Sequence, residues 1–295
     1  MLFRSEQRAD FVAATKAEYD RVREFNRLAN SPDKFLSLEQ ARANRLKASE
    51  SAPVVAPKKP GITAFDDYPL EEIAQFIDWT PFFHAWELKG VYPKVLEDPS
   101  HGSEAMKLFN DAKAMLEKLI REKWLKAKAV IGLFPASASG DDIEVFDAGS
   151  KRPVAMFHTL RQQTRKAAGQ PNIALSDFLN SKDDLNGGTD FIGAFAVTAG
   201  IGIDSHVARF EKDHDDYSAI LLKALADRLA EAFAELMHKR VRREFWGYAA
   251  DESLTNEQLI REEYAGIRPA PGYPAQPDHT EKRTLWNLLE VEKHT

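Results

Sequence analysis

A proline-rich segment combines a cation and an aromatic ring on restricted backbone. Residues 268–274 read RPAPGYP, and every residue except Gly272 is a proline or directly precedes one. Proline fixes its own φ and pushes the preceding residue toward extended geometry, so we predict a stiff loop without hydrogen bonds of its own. Arg268 offers a planar fork that matches a carboxylate, and Tyr273 offers a ring for stacking or packing. The pattern indicates a loop that holds a small molecule, with a surface arginine beside a structural turn as the alternative.

A carboxylate, Asp78, lies within the strongly apolar and aromatic run FIDWTPFF at 76–83. An acid in such a segment must find a partner or face water at a cleft. It could bind an ammonium or sulfonium group; it could equally be an N-cap or turn residue before Thr80 and Pro81, which the local chemistry favours. Glu231 and Glu262 are weaker candidates, because a solvated carboxylate is the usual state of such residues.

Several other site types are excluded or disfavoured. The chain contains 0 Cys, which removes disulfides, thiolate zinc sites, iron–sulfur clusters and cysteine nucleophiles. It has no Walker A, HExxH or GxSxG motif, and TAGIG at 198–202 lacks the third glycine of a dinucleotide loop, since position 205 is Ser. His158 and His279 are better explained as structural hydrogen-bonding residues than as general bases. We therefore predict neither a catalytic residue nor a metal ligand.

Composition limits the partners and the compartment. The 295 residues are 43% hydrophobic with a net charge of -6, which suits a normal core and argues against nucleic acid as the main partner. No apolar run approaches the length of a membrane span, and the first ten residues are too polar for a signal peptide. A cytoplasmic protein without a membrane partner is expected.

The elements that must position these residues follow from hydrophobic periodicity and turn residues. A helix at 5–29 precedes a proline- and alanine-containing linker at 47–61. Further helices are predicted at 68–83, 102–126, 215–246 and 278–291, with strands at 129–136, 141–146, 153–160 and 191–200. Helices, then strands, then a long helix fit an α+β class better than regular βαβ alternation, with a mixed or antiparallel sheet.

Long motifs resemble one family. The motifs are IDWTPFF, LFPA, DDIEVF, LRQQ, DFIGAFAVTAG, GIRPAPGYP and PDHTEK. Over about 66–295 they resemble the C-terminal activation domain of cobalamin-dependent methionine synthase. The resemblance implies a C-shaped α+β domain with a bent antiparallel sheet and a shallow groove for S-adenosylmethionine. Residues 5–24 are similar to the tail that follows the family's cobalamin-binding domain. This implies a tail plus linker at 1–61 and an S-adenosylmethionine-binding domain at 62–295.

The resemblance also implies a function, which is reductive reactivation during methionine biosynthesis from homocysteine and methyltetrahydrofolate. S-adenosylmethionine remethylates cob(II)alamin, with an electron from flavodoxin or a similar reductase. Cobalamin would be bound mainly by a neighbouring cobalamin-binding domain, and zinc would belong only to the homocysteine module. A monomeric chain that lacks turnover by itself is expected.

The family's ligand contacts can be placed residue by residue. By resemblance, Asp78 would meet the ligand's amino group and Arg268 its carboxylate. The groove would be lined by Ala270, Gly272 and Tyr273, and Glu231 and Glu262 would lie near the groove or the cobalamin-facing surface.

Two further expectations qualify this picture. The family continues beyond the position of Thr295 into strands that carry another aromatic ligand contact, so a C-terminally incomplete sheet is expected. Alternative functions are a stand-alone S-adenosylmethionine-dependent methyltransferase for a small molecule, and a degenerate, non-catalytic protein that keeps the fold.

Overall fold

The computed structural model describes residues 5–29, 34–47, 54–181 and 189–295. The helices are α1 (Ser5–Ala29), α2 (Leu38–Ala43), α3 (Leu70–Ile73), α4 (Thr80–Ala85), α5 (Gly102–Arg121), α6 (Ile203–Lys212), α7 (Asp216–Arg240), α8 (Asn256–Ile260), α9 (Glu281–Leu288) and α10 (Val291–His294). The strands are β1 (Gly61–Phe65), β2 (Lys126–Ser139), β3 (Asp142–Phe146), β4 (Pro153–His158) and β5 (Asp190–Ile201). None of the helices in these ranges is both long and apolar enough to cross a bilayer.

The five strands form one fully antiparallel sheet built around β2. One edge of β2 pairs first with β1 and then, further along, with β3, which continues to β4. The other edge pairs with β5 over almost its whole length. The α+β class is confirmed, and of the two sheet types left open by the sequence the antiparallel one is formed.

Side chains of β2 alternate between two buried clusters on the two faces of the sheet, as the strand period of two requires. Ala129, Ile131 and Leu133 join the larger cluster, which contains the apolar faces of α5 and α7 and the aromatic rings of the 76–83 segment. Val130 and Phe134 join the smaller cluster with residues of β3, β4, α9 and α10. The long helix α7 therefore covers one face and the C-terminal helices cover the other.

The C-terminal helices reach the sheet at a glycine. A Cβ on Gly132 would lie 2.5 Å from the Leu289 side chain and 2.3 Å from the Phe134 ring. Any larger residue at Gly132 would therefore require the Phe134 ring and the Leu289 side chain to move. Leu289, which is 0% exposed, fills this space and anchors the end of the chain.

The helices differ from the sequence predictions at four places. The helix predicted at 102–126 ends at Arg121, and Lys126 already belongs to β2. The predicted helix at 68–83 is interrupted, because α3 passes into a 3-10 turn at Ala74–Phe76 before α4 begins. The long helix begins as predicted, with Asp215 as N-cap, but after Arg240 it widens into a π turn at Val241–Phe245. The last helix is broken at Glu290, whose φ is 49°, and Asp278 caps a turn through Thr280 instead of forming a capping box. Apolar periodicity continued through these breaks, so it did not reveal them.

Residues 34–47 lie against the loop that follows β4. The Leu36 amide donates to the Gln163 carbonyl at 2.7 Å, and the Asn172 amide donates to the Asn44 carbonyl at 2.8 Å. Ala41, which is 0% exposed, is buried. We call residues 34–47 the N-terminal strap.

A buried arginine stabilises the loop beneath the strap. Arg161 is 6% exposed and forms a two-pronged ion pair with Asp177, both N–O distances being 2.6 Å. It also donates to Asp141 at 2.8 Å, and Arg42 of the strap donates to the other oxygen of Asp141 at 2.8 Å. Burial acts to raise the pKa of Asp141, but the hydrogen bonds from the two arginines outweigh it and hold that pKa below its usual range. Strap and loop thus share one network of charges.

Candidate functional site

The proline loop, residues 268–274, connects the region after α8 to α9 and is closed by hydrogen bonds. The Gly272 amide donates to the Gln276 carbonyl at 2.8 Å, and the Tyr273 amide donates to the Ala270 carbonyl at 3.1 Å. The expectation that this loop has no hydrogen bonds of its own is therefore wrong. Prolines leave four residues with amide donors in the segment, and two of these, Gly272 and Tyr273, donate within the turn. The loop is fixed by these bonds as well as by its restricted dihedral angles.

Gly272 is required by both backbone and packing. Its φ is 111°, in the region that residues with a side chain rarely adopt, and a Cβ here would lie 2.2 Å from the His279 ring. The imidazole of His279 therefore packs directly on the glycine and supports the loop from outside. This placement favours the structural explanation of His279. His158 is also tied structurally, since its ring lies 3.1 Å from Asp142 on the neighbouring strand.

Arg268 is held by an acid of the long helix. Its Nη2 donates to Glu235 Oε2 at 2.8 Å, and the two side chains are 26% and 11% exposed, respectively. Arg268 Nε is buried and has no hydrogen-bond partner among the described residues. The guanidinium is thus fixed on one side and still reached by solvent on another. A partly exposed, oriented arginine is suited to a carboxylate ligand.

Glu235 belongs to a buried polar stripe on α7 and its π turn. Glu235, His238 and Arg242 recur at the i, i+3, i+7 spacing of one helix face, and all three are buried. Arg242 is 0% exposed and is neutralised by two bonds to Glu252, at 2.8 and 2.6 Å. Tyr264 completes this group, with its ring 4.3 Å from the Arg242 guanidinium and 4.7 Å from the His238 ring. These residues form a polar island inside the core.

The electrostatics of this island are set by burial. Burial raises the pKa of Glu235 in spite of the nearby Arg268 and Arg242, and Glu262 adds to the rise. Burial lowers the pKa of His238 to about 3, helped by the same two arginines, so this histidine is neutral at physiological pH. Burial also raises the pKa of Tyr264, which Arg268 partly offsets. Arg268 is therefore flanked by Glu235 from the helix and by Tyr264 from the segment after α8.

Asp78 lies at the start of α4. Its side chain is half-buried, and its Oδ1 accepts a hydrogen bond from the Thr80 amide at 2.9 Å. The turn role that the local sequence favoured is therefore present. The 3-10 turn before Asp78 and the helix after it both pack against α7. Asp78 and Arg268 are consequently both positioned by the same long helix, the first through its flanking backbone and the second through Glu235.

The remaining predicted site residues occupy the surface around this arrangement. Tyr273 is 62% exposed, and Ala270 beside it is also exposed, so neither is buried in the core. Glu231 is exposed on α7 one turn before Glu235, which places the two acids on one side of the helix. Glu262 is exposed just after α8 with a φ of 56°, and its charge acts on both Glu235 and Tyr264. The charge of Glu262 therefore acts on the Arg268–Glu235 pair, and Glu231 precedes Glu235 by one turn of α7.

The sequence predictions missed Glu235, His238, Arg242 and Tyr264. The i, i+3, i+7 spacing of three polar residues along one face of the helix was the available signal for the first three. Polar residues on a solvent-exposed helix face have the same spacing. Only the packing of the 252–268 segment onto α7 distinguishes a buried polar face from an exposed one.

A cavity of about 980 Å³ lies elsewhere, between α9 and the sheet. Its lining includes His279 from the region of the proline loop but neither Asp78 nor Arg268. Asp78 and Arg268 are both partly exposed, and the shallow groove implied by the resemblance stays a prediction.

Comparison with known proteins identifies the family. The family described as "Vitamin B12 dependent methionine synthase, activation domain" matches residues 69–295. A crystal structure of the MetH reactivation domain bound to AdoHcy superposes with a TM-score of 0.83 at 51% sequence identity, covering 88% of this chain and 80% of that chain. The family match includes the aromatic segment, the long helix and the proline loop. The chain therefore belongs to the activation-domain family of vitamin B12-dependent methionine synthases.

Proposed function

We propose that this chain binds S-adenosylmethionine on the surface bordered by Asp78 and the proline loop and presents it for the reductive remethylation of cobalamin. The observation that carries the proposal is Arg268, a cation oriented by Glu235 at 2.8 Å and still 26% exposed beside Tyr273. The related reactivation domain at 51% identity was crystallised with AdoHcy, which has the same amino-acid and adenosine parts.

The residues present fit such a ligand. Arg268 would hold the carboxylate by charge-assisted hydrogen bonds, and Asp78, which accepts one backbone bond at 2.9 Å, would receive the ammonium group. The exposed ring of Tyr273 offers a face for the adenine, while the hydrogen-bonded loop limits the ordering cost of binding. Glu231 and Glu262 add negative charge near the positively charged sulfonium, which favours the ligand over its neutral product.

Bound S-adenosylmethionine would supply an electrophilic methyl group on a sulfonium, and cobalamin of a neighbouring domain would accept it together with one electron. The chain's own part in this process is to bind and orient the ligand, since none of its described residues is required as a nucleophile or base.

We infer that the cobalamin-binding domain is its main partner, and that flavodoxin or a similar reductase delivers the electron in the cytoplasm. A monomeric module without turnover of its own fits this role, and any thiolate zinc site would lie in another module.

Calorimetric titration with S-adenosylhomocysteine tests the binding claim. Wild-type protein should release or take up heat with a saturable one-site isotherm. Arg268→Ala should weaken binding by roughly 10- to 100-fold, the usual effect of losing a charge-assisted pair, and Asp78→Asn by about tenfold. Heat-free titration of the folded wild type, or an unchanged Kd in Arg268→Ala, would remove the proposed site.

A second assay separates this function from an independent methyltransferase. Purified chain would be incubated with methyl-labelled S-adenosylmethionine and a cell extract from which cobalamin has been removed. The proposal predicts no label transfer above that of the extract alone. Label in a small molecule that depends on the chain would favour the methyltransferase alternative.

A further inference from the structure

We propose that Glu235 is a positioning residue for ligand binding, which sets the direction in which Arg268 presents its guanidinium to the ligand's carboxylate. This inference rests on the proposed function, because it assigns a role within the same site. Glu235 was not among the residues that sequence motifs pointed to, and it acts through Arg268 without touching the ligand.

Arginine needs such a partner here because its side chain is long and its loop offers few others. The Gly272 and Tyr273 amides of the proline loop donate within its own turn, through bonds of 2.8 and 3.1 Å. The loop has no acidic side chain, so the anion that pairs with the arginine comes from outside it. A direct hydrogen bond from the guanidinium to Glu235 Oε2 connects the loop to α7. Restricting a flexible cation before the ligand arrives reduces the entropy lost on binding.

Glu235 lies at a rigidly packed position in the fold. It lies in α7, the helix that covers one face of the sheet, and its neighbours Leu236 and Met237 are 6% and 0% exposed in the core. Its side chain is 11% exposed, so the bond to Arg268 lies largely out of water, where a charged hydrogen bond is less screened. The helix therefore fixes the carboxylate, and the carboxylate fixes the guanidinium.

The charges around Glu235 agree with a positioning role. Arg242 is the other cation near Glu235, but it already has two bonds to Glu252 at 2.8 and 2.6 Å. Glu235 is thus left to pair with Arg268. Glu235 Oε1 has no hydrogen-bond partner among the described residues, so a neutral amide could replace the carboxylate and keep the oxygen that accepts from Arg268.

Two substitutions separate positioning from charge. Glu235→Met keeps the length and packing of the side chain but removes the acceptor, so Arg268 loses its hydrogen bond to α7. Glu235→Gln keeps an acceptor. With S-adenosylhomocysteine as the probe in calorimetry, Glu235→Met should weaken binding about tenfold, and Glu235→Gln should restore affinity to within about threefold of wild type.

A second probe shows whether the effect passes through the carboxylate. Methylthioadenosine has the adenosine and sulfur of the ligand but lacks its amino-acid carboxylate. Glu235→Met should leave the affinity for methylthioadenosine unchanged within about twofold. Glu244→Met is the matched control, since Glu244 pairs with Arg240 at 2.8 Å, is 53% exposed and makes no bond to Arg268. It should change neither affinity.

The outcomes that overturn the inference are distinct from those that overturn the function. If wild type binds S-adenosylhomocysteine and Glu235→Met binds it equally well or more tightly, Glu235 has no positioning role. An equal loss for both probes would indicate a general packing defect and would also overturn the inference. Glu235→Ala provides the same comparison if the methionine variant does not fold. Failure of the wild type to bind either probe would instead refute the proposed function.

Discussion

At the scale of single residues, the key feature is an arginine that is paired but still accessible. Arg268 is 26% exposed and bonded to Glu235 at 2.8 Å, so its charge is partly compensated inside the protein. A fully buried pair would have no room for a ligand, and a fully exposed arginine would interact only weakly through water. Because Arg268 is only partly exposed, a ligand carboxylate could reach its guanidinium, and the charge of the guanidinium would be screened less than in water. Under the proposed function, one side chain would thus be structural and ligand-binding at once.

Gly272 provides a residue-scale test of the loop. Gly272→Ala must force a side chain into a φ of 111° and against the His279 ring, so we expect a loss of roughly 1–3 kcal/mol in unfolding free energy. Urea denaturation measures this loss. Gly149→Ala is the control, because its nearest neighbour is 3.7 Å away and its φ is not positive.

A double substitution separates the two causes at Gly272. In Gly272→Ala combined with His279→Ala, the overlap with the ring is removed but the backbone strain remains. Only part of the lost stability should therefore return. If Gly272→Ala is as stable as Gly149→Ala, the loop does not need its glycine, and our description of its support by His279 is wrong.

His238 predicts a pH dependence of stability. Its pKa is about 3 in the folded protein against an ordinary 6.5, so the unfolded chain binds the proton more readily between these values. The contribution of neutral His238 to the unfolding free energy is therefore fully present above pH 6.5 and is lost as pH falls toward 3. Glu235 acts in the opposite direction, since its raised pKa makes its ionisation destabilising as pH rises above 4.5.

Comparison of wild type with His238→Gln isolates this contribution. Urea unfolding would be measured from pH 7 down to pH 4.5. Wild type should lose roughly 2 kcal/mol more than the variant over that range, because two pH units below 6.5 correspond to about that free energy. Parallel profiles for the two proteins would mean that His238 is not buried as a neutral base.

At the scale of elements, α7 is the part on which the site depends. It contains Glu235, packs against the segments on both sides of Asp78, and covers the sheet. Its start and the helix-ending Gly247, whose φ is 85°, were predictable, because capping residues and apolar periodicity are local signals. Its π turn was not, since no local pattern marks the widening that brings Arg242 to Glu252.

The pairing of distant residues marks the limit of prediction from the sequence. Arg268 and Glu235 are 33 positions apart, and their contact depends on how the 252–268 segment packs onto α7. The stiff loop, its arginine and its tyrosine were recognisable from proline spacing and residue type alone. The acid that orients the arginine was not, because any of several helix carboxylates could have served. The same holds for Arg161, whose partners Asp141 and Asp177 are fixed by loop packing.

Arg161 gives an element-scale prediction for the loop beneath the strap. Arg161→Met leaves the carboxylates of Asp177 and Asp141 without their buried cation, so we expect a loss of about 3–5 kcal/mol in unfolding free energy. Arg152→Met, at an exposed position, should change it by less than about 0.5 kcal/mol. A loss below about 1 kcal/mol in Arg161→Met would contradict the structural role of this network.

The N-terminal strap predicts an effect of truncation. A chain starting at residue 54 loses the bonds of residues 34–47 to the 159–178 loop, and also the ion pair of Arg42 with Asp141 at 2.8 Å. A loss of about 2 kcal/mol would lower the Tm by roughly 4 to 8 °C. A chain starting at residue 34 keeps these contacts and should melt near the full-length protein. Equal melting of the two truncated chains would show that the strap does not stabilise the domain.

At the scale of the whole molecule, the proposed function separates ligand binding from methyl transfer. One face of the sheet is covered by α7, and the residues proposed to bind the ligand belong to the segment before α4 and to the proline loop, both of which contact this helix. The ligand's methyl group would therefore be offered at an open surface. Such a surface allows a neighbouring domain that holds cobalamin to approach the methyl group directly, which an enclosed pocket would prevent.

The most direct measurement of the central claim is methyl transfer in trans. The chain would be mixed with a separately purified cobalamin-binding domain carrying cob(II)alamin, a reductant and methyl-labelled S-adenosylmethionine. Formation of methylcobalamin would be followed by its absorption spectrum and by the label. We predict that wild type accelerates labelled methylcobalamin formation, that Arg268→Ala slows it at least tenfold at subsaturating ligand, and that Glu244→Met behaves like wild type. Equal rates with and without the chain, or with Arg268→Ala in place of wild type, would contradict the account.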